Sequence, residues 1–124
     1  MRSLRQKSDF DRVYREGVKR VGRYLVLYLL PADDDAWAVV ASRKVGKAVT
    51  RNRAKRLLRE ALRSRIESRP GTAADLRRRH LPNAPVGEGL WVVAVARARI
   101  VDAGIGDVTS ELARLLEQSP PQGT

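Results

Sequence analysis

The sequence predicts an α+β domain of order α-β-β-α-β-α, with three or four strands and the helices packed on one side. Three observations carry that expectation. YLVLYLL (24–30) is a short apolar run closed by a proline. LWVVAVARA (90–98) is nearly all apolar, the pattern of a strand buried on both faces. Between them, Ala54, Leu57, Leu58, Ala61 and Leu62 recur with the helical period of 3.6 residues.

The elements follow in order. Ser8 reads as an N-cap with Asp11 three residues on. Phe10, Val13 and Tyr14 share one face, and Gly17 is a stop, which predicts a helix over 8–16. Along 24–30, Tyr24, Val26, Tyr28 and Leu30 point to one face and Leu25, Leu27 and Leu29 to the other. PADDD is a polar turn, and 37–42 is a second strand expected to pair with the first as a hairpin. Thr50 is the expected cap of a long helix over 50–67 that ends before Pro70. Residues 68–89, broken by Pro70, Gly71, Pro82, Pro85, Gly87 and Gly89, read as an exposed loop insertion with at most one helical turn near 73–79. Val108, Leu112, Leu115 and Leu116 mark a last helix capped by Asp107. One domain over 1–118 is expected, with a disordered tail at 119–124.

The charge narrows the partner. The chain of 124 residues carries 25 Lys and Arg against 14 Asp and Glu, a net charge of +11. Arginine dominates, and its planar fork matches phosphate. A polyanion is expected. There is no cysteine, which removes disulfides, thiolate metal sites and a cysteine nucleophile. The first sixteen residues are densely charged, so no signal peptide is expected, and no apolar run is long enough to span a bilayer. A cytoplasmic place is the expectation.

On a wheel of the long helix, Asn52, Arg56, Arg59 and Arg63 fall within about 60° of one another, away from the apolar stripe. Arg51 and Lys55 flank them. From Arg43 to Arg69 there are eleven basic residues, Lys47, Arg53 and Arg65 among them, against two acids, Glu60 and Glu67. A solvated helix would interleave signs. Here like charges meet at 51/55, 55/59 and 59/63, each costing a few tenths of a kcal/mol without a partner, or about 0.2–0.5. The pattern points to a phosphate-binding face over a merely solvated one. Phe10 and Tyr14 sit one turn apart and Tyr28 lies on a strand. Rings beside arginines hold single-stranded nucleic acid, although a ring pair on a short helix is more often core.

A nuclease active site is not readable. The single histidine, His80, reads as an exposed bystander in the loop. Asp33, Asp34 and Asp35 form the only acidic cluster and read as a solvated turn. DAGIGDVT (102–109) has a partial G-x-G spacing, for which a helix start is the better reading.

GKAVTRNRAKRLLREALR resembles the signature of the bacterial ribonuclease P protein component. The matching residues are Arg43-Lys44-Val45-Gly46, Ala48-Val49, Arg51-Asn52-Arg53, Lys55-Arg56 and Arg59. DFDRVYREG resembles the family's opening motif and LVLY its first strand, so the close match covers about residues 4–66. The resemblance implies a fold similar to the second domain of ribosomal protein S5, with a left-handed β-α-β crossover. It implies the small protein subunit of a ribonucleoprotein whose RNA subunit is the Mg²⁺-dependent catalyst that removes the 5′ leader of precursor tRNA. Its partners would be that RNA subunit and precursor tRNA, with no membrane and no small-molecule substrate. Arg51, Asn52, Arg53, Lys55, Arg56 and Arg59 would face RNA, with Arg63 and Lys47 continuing the same basic surface. Phe10, Tyr14 and Tyr28 would line a leader cleft, with Ser42, Arg43 and Lys44 beside them at a strand end. Tyr14 and Arg43 replace a frequent Phe and Lys, keeping ring and charge. The alternative reading is a ribosomal or rRNA-binding structural protein, which would not need three rings on one exposed surface.

Overall fold

The computed structural model describes residues 2–67, 72–84 and 89–117. In chain order these form β1 (Arg2–Ser3), α1 (Lys7–Glu16), β2 (Val18–Val21), β3 (Leu25–Ala32), β4 (Ala36–Val40), α2 (Ala48–Leu62), a π-helical extension (Arg63–Glu67), α3 (Thr72–His80), β5 (Gly89–Ala96), a 3-10 turn (Ala98–Asp102) and α4 (Ile105–Glu117). The five strands make one sheet in the order β1-β4-β5-β3-β2.

The apolar run in β5 explains this order. It buries nearly every side chain on both faces, so it must be central. It pairs antiparallel with β3 and parallel with β4. The expected hairpin of 24–30 with 37–42 is therefore wrong: β5 lies between β3 and β4. β4 and β5 are therefore adjacent parallel strands joined through α2 and α3, a β-α-β connection.

Helices cover both faces, not one. Leu25, Leu27, Leu29 and Val92 pack with Ala54, Leu57 and Leu58 of α2, with Leu76 of α3, and with Val108, Leu112 and Leu115 of α4. Leu30, Trp91 and Val93 on the opposite face pack with Leu4 and with Val13 of α1. Each fully buried leucine here contributes roughly 1.5–3 kcal/mol relative to exposure.

Several boundaries move for local reasons. α1 starts at Lys7 after Gln6, whose side chain makes no cap bond, so Ser8 lies inside the helix. α2 starts after Lys47, two residues before Thr50. Its entry is set by Gly46, whose φ of 146° suits glycine. α4 starts at Ile105, and Asp107 reaches back from the third helical position to accept the Gly104 N–H at 2.9 Å. The partial G-x-G is thus a helix start. β3 runs on through Pro31, past the point where β2 ends opposite Leu29, so a missing donor is tolerated there.

The stretch read as an exposed loop contains the nine-residue α3, with Leu76, Arg77 and His80 buried. Arg77 donates to the carbonyl of Ala32 at 3.0 Å and to that of Gly89, closing the end of β3 onto the start of β5. His80 is not an exposed bystander: it is 3% exposed, and its Nε2 lies 2.8 Å from the Leu116 carbonyl at the end of α4. The aspartate turn is exposed, as expected, but its carboxylates also brace the strand ends. Asp34 accepts from Arg2 and from Trp91 Nε1 (3.0 Å), and Asp35 accepts the Leu90 N–H at 3.0 Å. The Arg2 and Trp91 hydrogen bonds hold the Asp34 carboxyl below its ordinary value. The expected tail at 119–124 lies outside the described residues.

Candidate nucleic-acid interface

The first surface is the outer face of α2. Asn52, Arg56, Arg59 and Arg63 are exposed, and Arg51, Arg53 and Lys55 are half-buried. Among the described residues, none of the ion pairs involves a basic side chain of α2. The like-charge repulsion along 51/55/59/63 is therefore not relieved by any ion pair among the described residues. Arg53 differs from its neighbours. It donates to the Ala103 carbonyl at 2.8 Å and so ties α2 to the segment before α4. Arg63 lies over the Trp37 ring, 5.8 Å from its centroid.

The second surface begins at the turn into α2. Ser42 Oγ accepts the Lys44 N–H at 3.3 Å, and Val45 N–H and Gly46 N–H bond the carbonyls of Ser42 and Arg43. Val45 is buried and anchors the turn. Arg43, Lys44 and Lys47 are left exposed around it. Ser42 thus shapes the turn that presents two cations.

The cleft itself follows from strand register. Tyr28 pairs across the sheet with Val93, and Val93 with Ala38. Phe10 and Tyr14 of α1 stand over this side of the sheet, with ring centroids 6.3 Å apart, and Tyr14 meets Tyr28 edge-on at 5.0 Å. Lys19 of β2 lies opposite Tyr28 in the register and over its ring at 6.0 Å. One residue pair further along, Val26, Val95 and Val40 form a row that is only partly buried, and Val21, paired to Val26, is 53% exposed. The sheet therefore offers an open apolar floor, a ring wall and cations at its ends. That arrangement suits unstacked bases with their phosphates outward. Partial burial, then Tyr28 and Asp11, hold the Tyr14 phenol above its ordinary value, so it stays a neutral donor at neutral pH.

The structure thus brings Phe10, Tyr14 and Tyr28 together and sets Ser42, Arg43 and Lys44 at the end of β4, as the sequence suggested. The sequence reading missed Lys19 and the valine floor. The alternation in VKRV was the available signal, masked by a buried Arg20 on the face of Leu27. A larger groove of about 640 Å³ opens on the other flank of α1. It is lined by Glu16, Asp33 and Asp34 as well as Arg12 and Arg77, a mixed charge that fits a polyanion poorly. Among the described residues no group of three or more His, Asp or Glu could hold a metal, and no helix is long and apolar enough to cross a membrane.

Known proteins share the sequence pattern and the fold of this chain. The family model described as Ribonuclease P matches residues 1–119. A ribonuclease P protein component of Clostridioides difficile is 31% identical over 95% of this chain and 91% of its own length. That of Nitratiruptor is 32% identical over 95% and 92%. Among solved structures, the Thermotoga maritima protein superposes with a TM-score of 0.67 at 24% identity, covering 94% of this chain and 96% of that one. The Staphylococcus aureus protein gives 0.67 at 22% identity over 94% of each.

Proposed function

This chain belongs to the ribonuclease P protein family, and on that premise we propose how it divides its labour between two RNAs. The chain is a protein subunit of ribonuclease P and serves tRNA 5′ maturation. The α2 face, with Lys47, Arg51, Asn52, Arg53, Lys55, Arg56, Arg59 and Arg63, meets the RNA subunit. The cleft of Phe10, Tyr14 and Tyr28, with Ser42, Arg43 and Lys44 at its end, holds the single-stranded leader of precursor tRNA. The single observation that carries this reading is the pairing of an α2 face free of ion pairs among the described residues with an open, ring-walled valine floor on the other side of the sheet.

Catalysis resides in the RNA subunit. The protein supplies positioning: its cations neutralise phosphates, and its rings hold bases so that the scissile bond is presented. The aspartate cluster of this chain does not fit a magnesium cage, because hard cations need free oxygen ligands. Asp34 is held by Arg2 and Trp91, and Asp35 by the Leu90 N–H. Magnesium is accordingly assigned to the RNA subunit, and this chain supports it only by organising phosphates. The domain extends over 1–118, and the complex works in the cytoplasm.

The test is reconstitution. The protein is captured with its RNA from its own cells, and the complex is assayed on precursor tRNA in Mg²⁺ at low salt. Faster 5′ cleavage with the protein than with the RNA alone is expected. Recovery of ribosomal RNA only, or cleavage by the protein stripped of RNA, would overturn the assignment.

A further inference from the structure

β4 is covered along only part of its outer edge. β1 pairs with Ala36 and Trp37 and then ends, the last backbone bond running from Leu4 N–H to the Trp37 carbonyl at 3.0 Å. Strand alternation turns the Val39 N–H and carbonyl toward that same open edge. Beside it lies a groove of about 310 Å³. Phe10 of α1 reaches it from one face of the sheet, Arg59 of α2 and Arg63 of its π-helical extension from the other, and Arg5 from the N-terminal segment. Trp37 forms part of its wall under the Arg63 guanidinium. None of its lining residues is acidic. Arg5 and Arg59 are exposed and belong to none of the ion pairs among the described residues.

We propose that this edge groove holds one nucleotide of the precursor's 5′ leader, the next in line after those on the ring cleft. The proposal rests on the cleft reading above and extends it to Arg5, Trp37 and Val39. Three features choose the occupant. The groove has cations for a phosphate and the half-buried Phe10 ring for a base, the pair of contacts a nucleotide needs, while the buried Trp37 indole under Arg63 serves only as its wall. Its mouth lies between a residue of α1 and residues of the α2 side, on the two faces of the sheet edge. Phe10 belongs both to the groove and to the ring row, at 6.3 Å from Tyr14, so a strand leaving Tyr28 and Tyr14 passes directly into it. The Val39 backbone supplies a donor and an acceptor for a base edge. The site would therefore join the two RNA-facing surfaces at the sheet edge, with Arg59 and Arg63 shared between them.

The experiment uses the assembled holoenzyme and precursor tRNAs whose leaders are shortened one nucleotide at a time. Affinities are measured for wild type, Arg5→Glu and Tyr28→Ala, and the affinity of each protein for the RNA subunit is measured separately. Arg5→Glu should lose on the order of tenfold with long leaders. Its salt slope should be smaller by roughly 0.7 for the lost phosphate. The difference from wild type should vanish once the leader is too short to reach the edge, at a longer leader than the one at which the Tyr28→Ala defect vanishes. A defect independent of leader length, or one seen instead in RNA-subunit affinity, would overturn the proposal and give the groove to the RNA subunit. No defect in Arg5→Glu beside a leader-dependent defect in Tyr28→Ala would reject the groove and keep the cleft. Leader-independent behaviour of both variants would remove the cleft reading itself.

Discussion

Two sets of arginines in this molecule do opposite work. Arg77, Arg97 and Arg53 donate to backbone carbonyls at strand ends and turns: Ala32 and Gly89, Gly22 at 2.8 Å, and Ala103. Arg56 and Arg59 stand on α2, exposed and outside every ion pair among the described residues. The inner set satisfies carbonyls that sheet and helix ends leave over. The outer set is left repelling itself. Not all of the 25 cations are therefore available to RNA, and stability and RNA affinity should respond to different residues.

The sharpest break in that division comes from a charge of the inner kind. Glu111 on α4 is buried and accepts the N–H groups of Arg23, Tyr24 (2.7 Å) and Leu25 (3.1 Å), with Arg114 at 3.3 Å. It clamps the β2–β3 turn, where a Cβ on Gly22 would come within 2.6 Å of the carboxyl carbon. Glu111→Ala leaves three donors unsatisfied and should cost about 3–5 kcal/mol in urea unfolding. Glu111→Gln should cost less, and the RNA salt slope of folded protein should not move. A loss under about 1 kcal/mol would show that the turn holds without the clamp.

The outer set predicts the reverse. Arg56→Glu with Arg59→Glu should weaken RNA-subunit binding by about 2–4 kcal/mol. The salt slope should fall by roughly 1.4–1.8 for two phosphates. The melting temperature should hold or rise slightly, because like-charge pairs are removed. Unfolding of the double variant would mean that these arginines belong to the inner set after all.

That distinction marks where the sequence was readable. The two-faced apolar run of β5, the stripe of α2 and the shared face of Phe10 and Tyr14 follow from periodicity, while Tyr28 joined those rings only through the family resemblance, and the structure has all of these together. Pairing did not follow. A short turn between 32 and 36 suggests a hairpin, but only the competition for the sheet centre, which β5 wins by its double burial, decides the order. α3 was hidden because TAADLRRRH has the composition of a loop and one large apolar residue. Its buried Arg77 and His80 find carbonyls from β3, β5 and α4, which no local pattern announces. Arg20 hid β2 in the same way. The surface charges were legible because they break a local rule, whereas the inner charges obey a tertiary one.

A smaller effect sharpens the two-RNA reading. Tyr28→Ala should weaken precursor binding by about 1–3 kcal/mol, the worth of one stacked base. Mature tRNA and RNA-subunit affinity should stay level, and Tyr28→Phe should keep most of the binding. Equal losses for precursor and mature tRNA would place Tyr28 outside the leader path.

The smallest effect concerns the one inner group that titrates near neutrality. Burial lowers the His80 imidazole below its ordinary value of about 6.5. The Leu116 carbonyl pulls it back up, and Arg20 and Arg79 push it further down. The folded state therefore binds fewer protons than the unfolded chain between the lowered value and about 6.5. Stability is fully present above that window and is lost as pH falls through it. His80→Gln can still donate to Leu116 without titrating, so its unfolding free energy should be flatter between pH 7 and the acid end. His80 lies outside the proposed RNA-facing surfaces, so the salt slope of RNA binding should not change over the same range. A pH-dependent salt slope that disappears in His80→Gln would move His80 from the inner set to the RNA-facing one, and α3 would then join the binding surface.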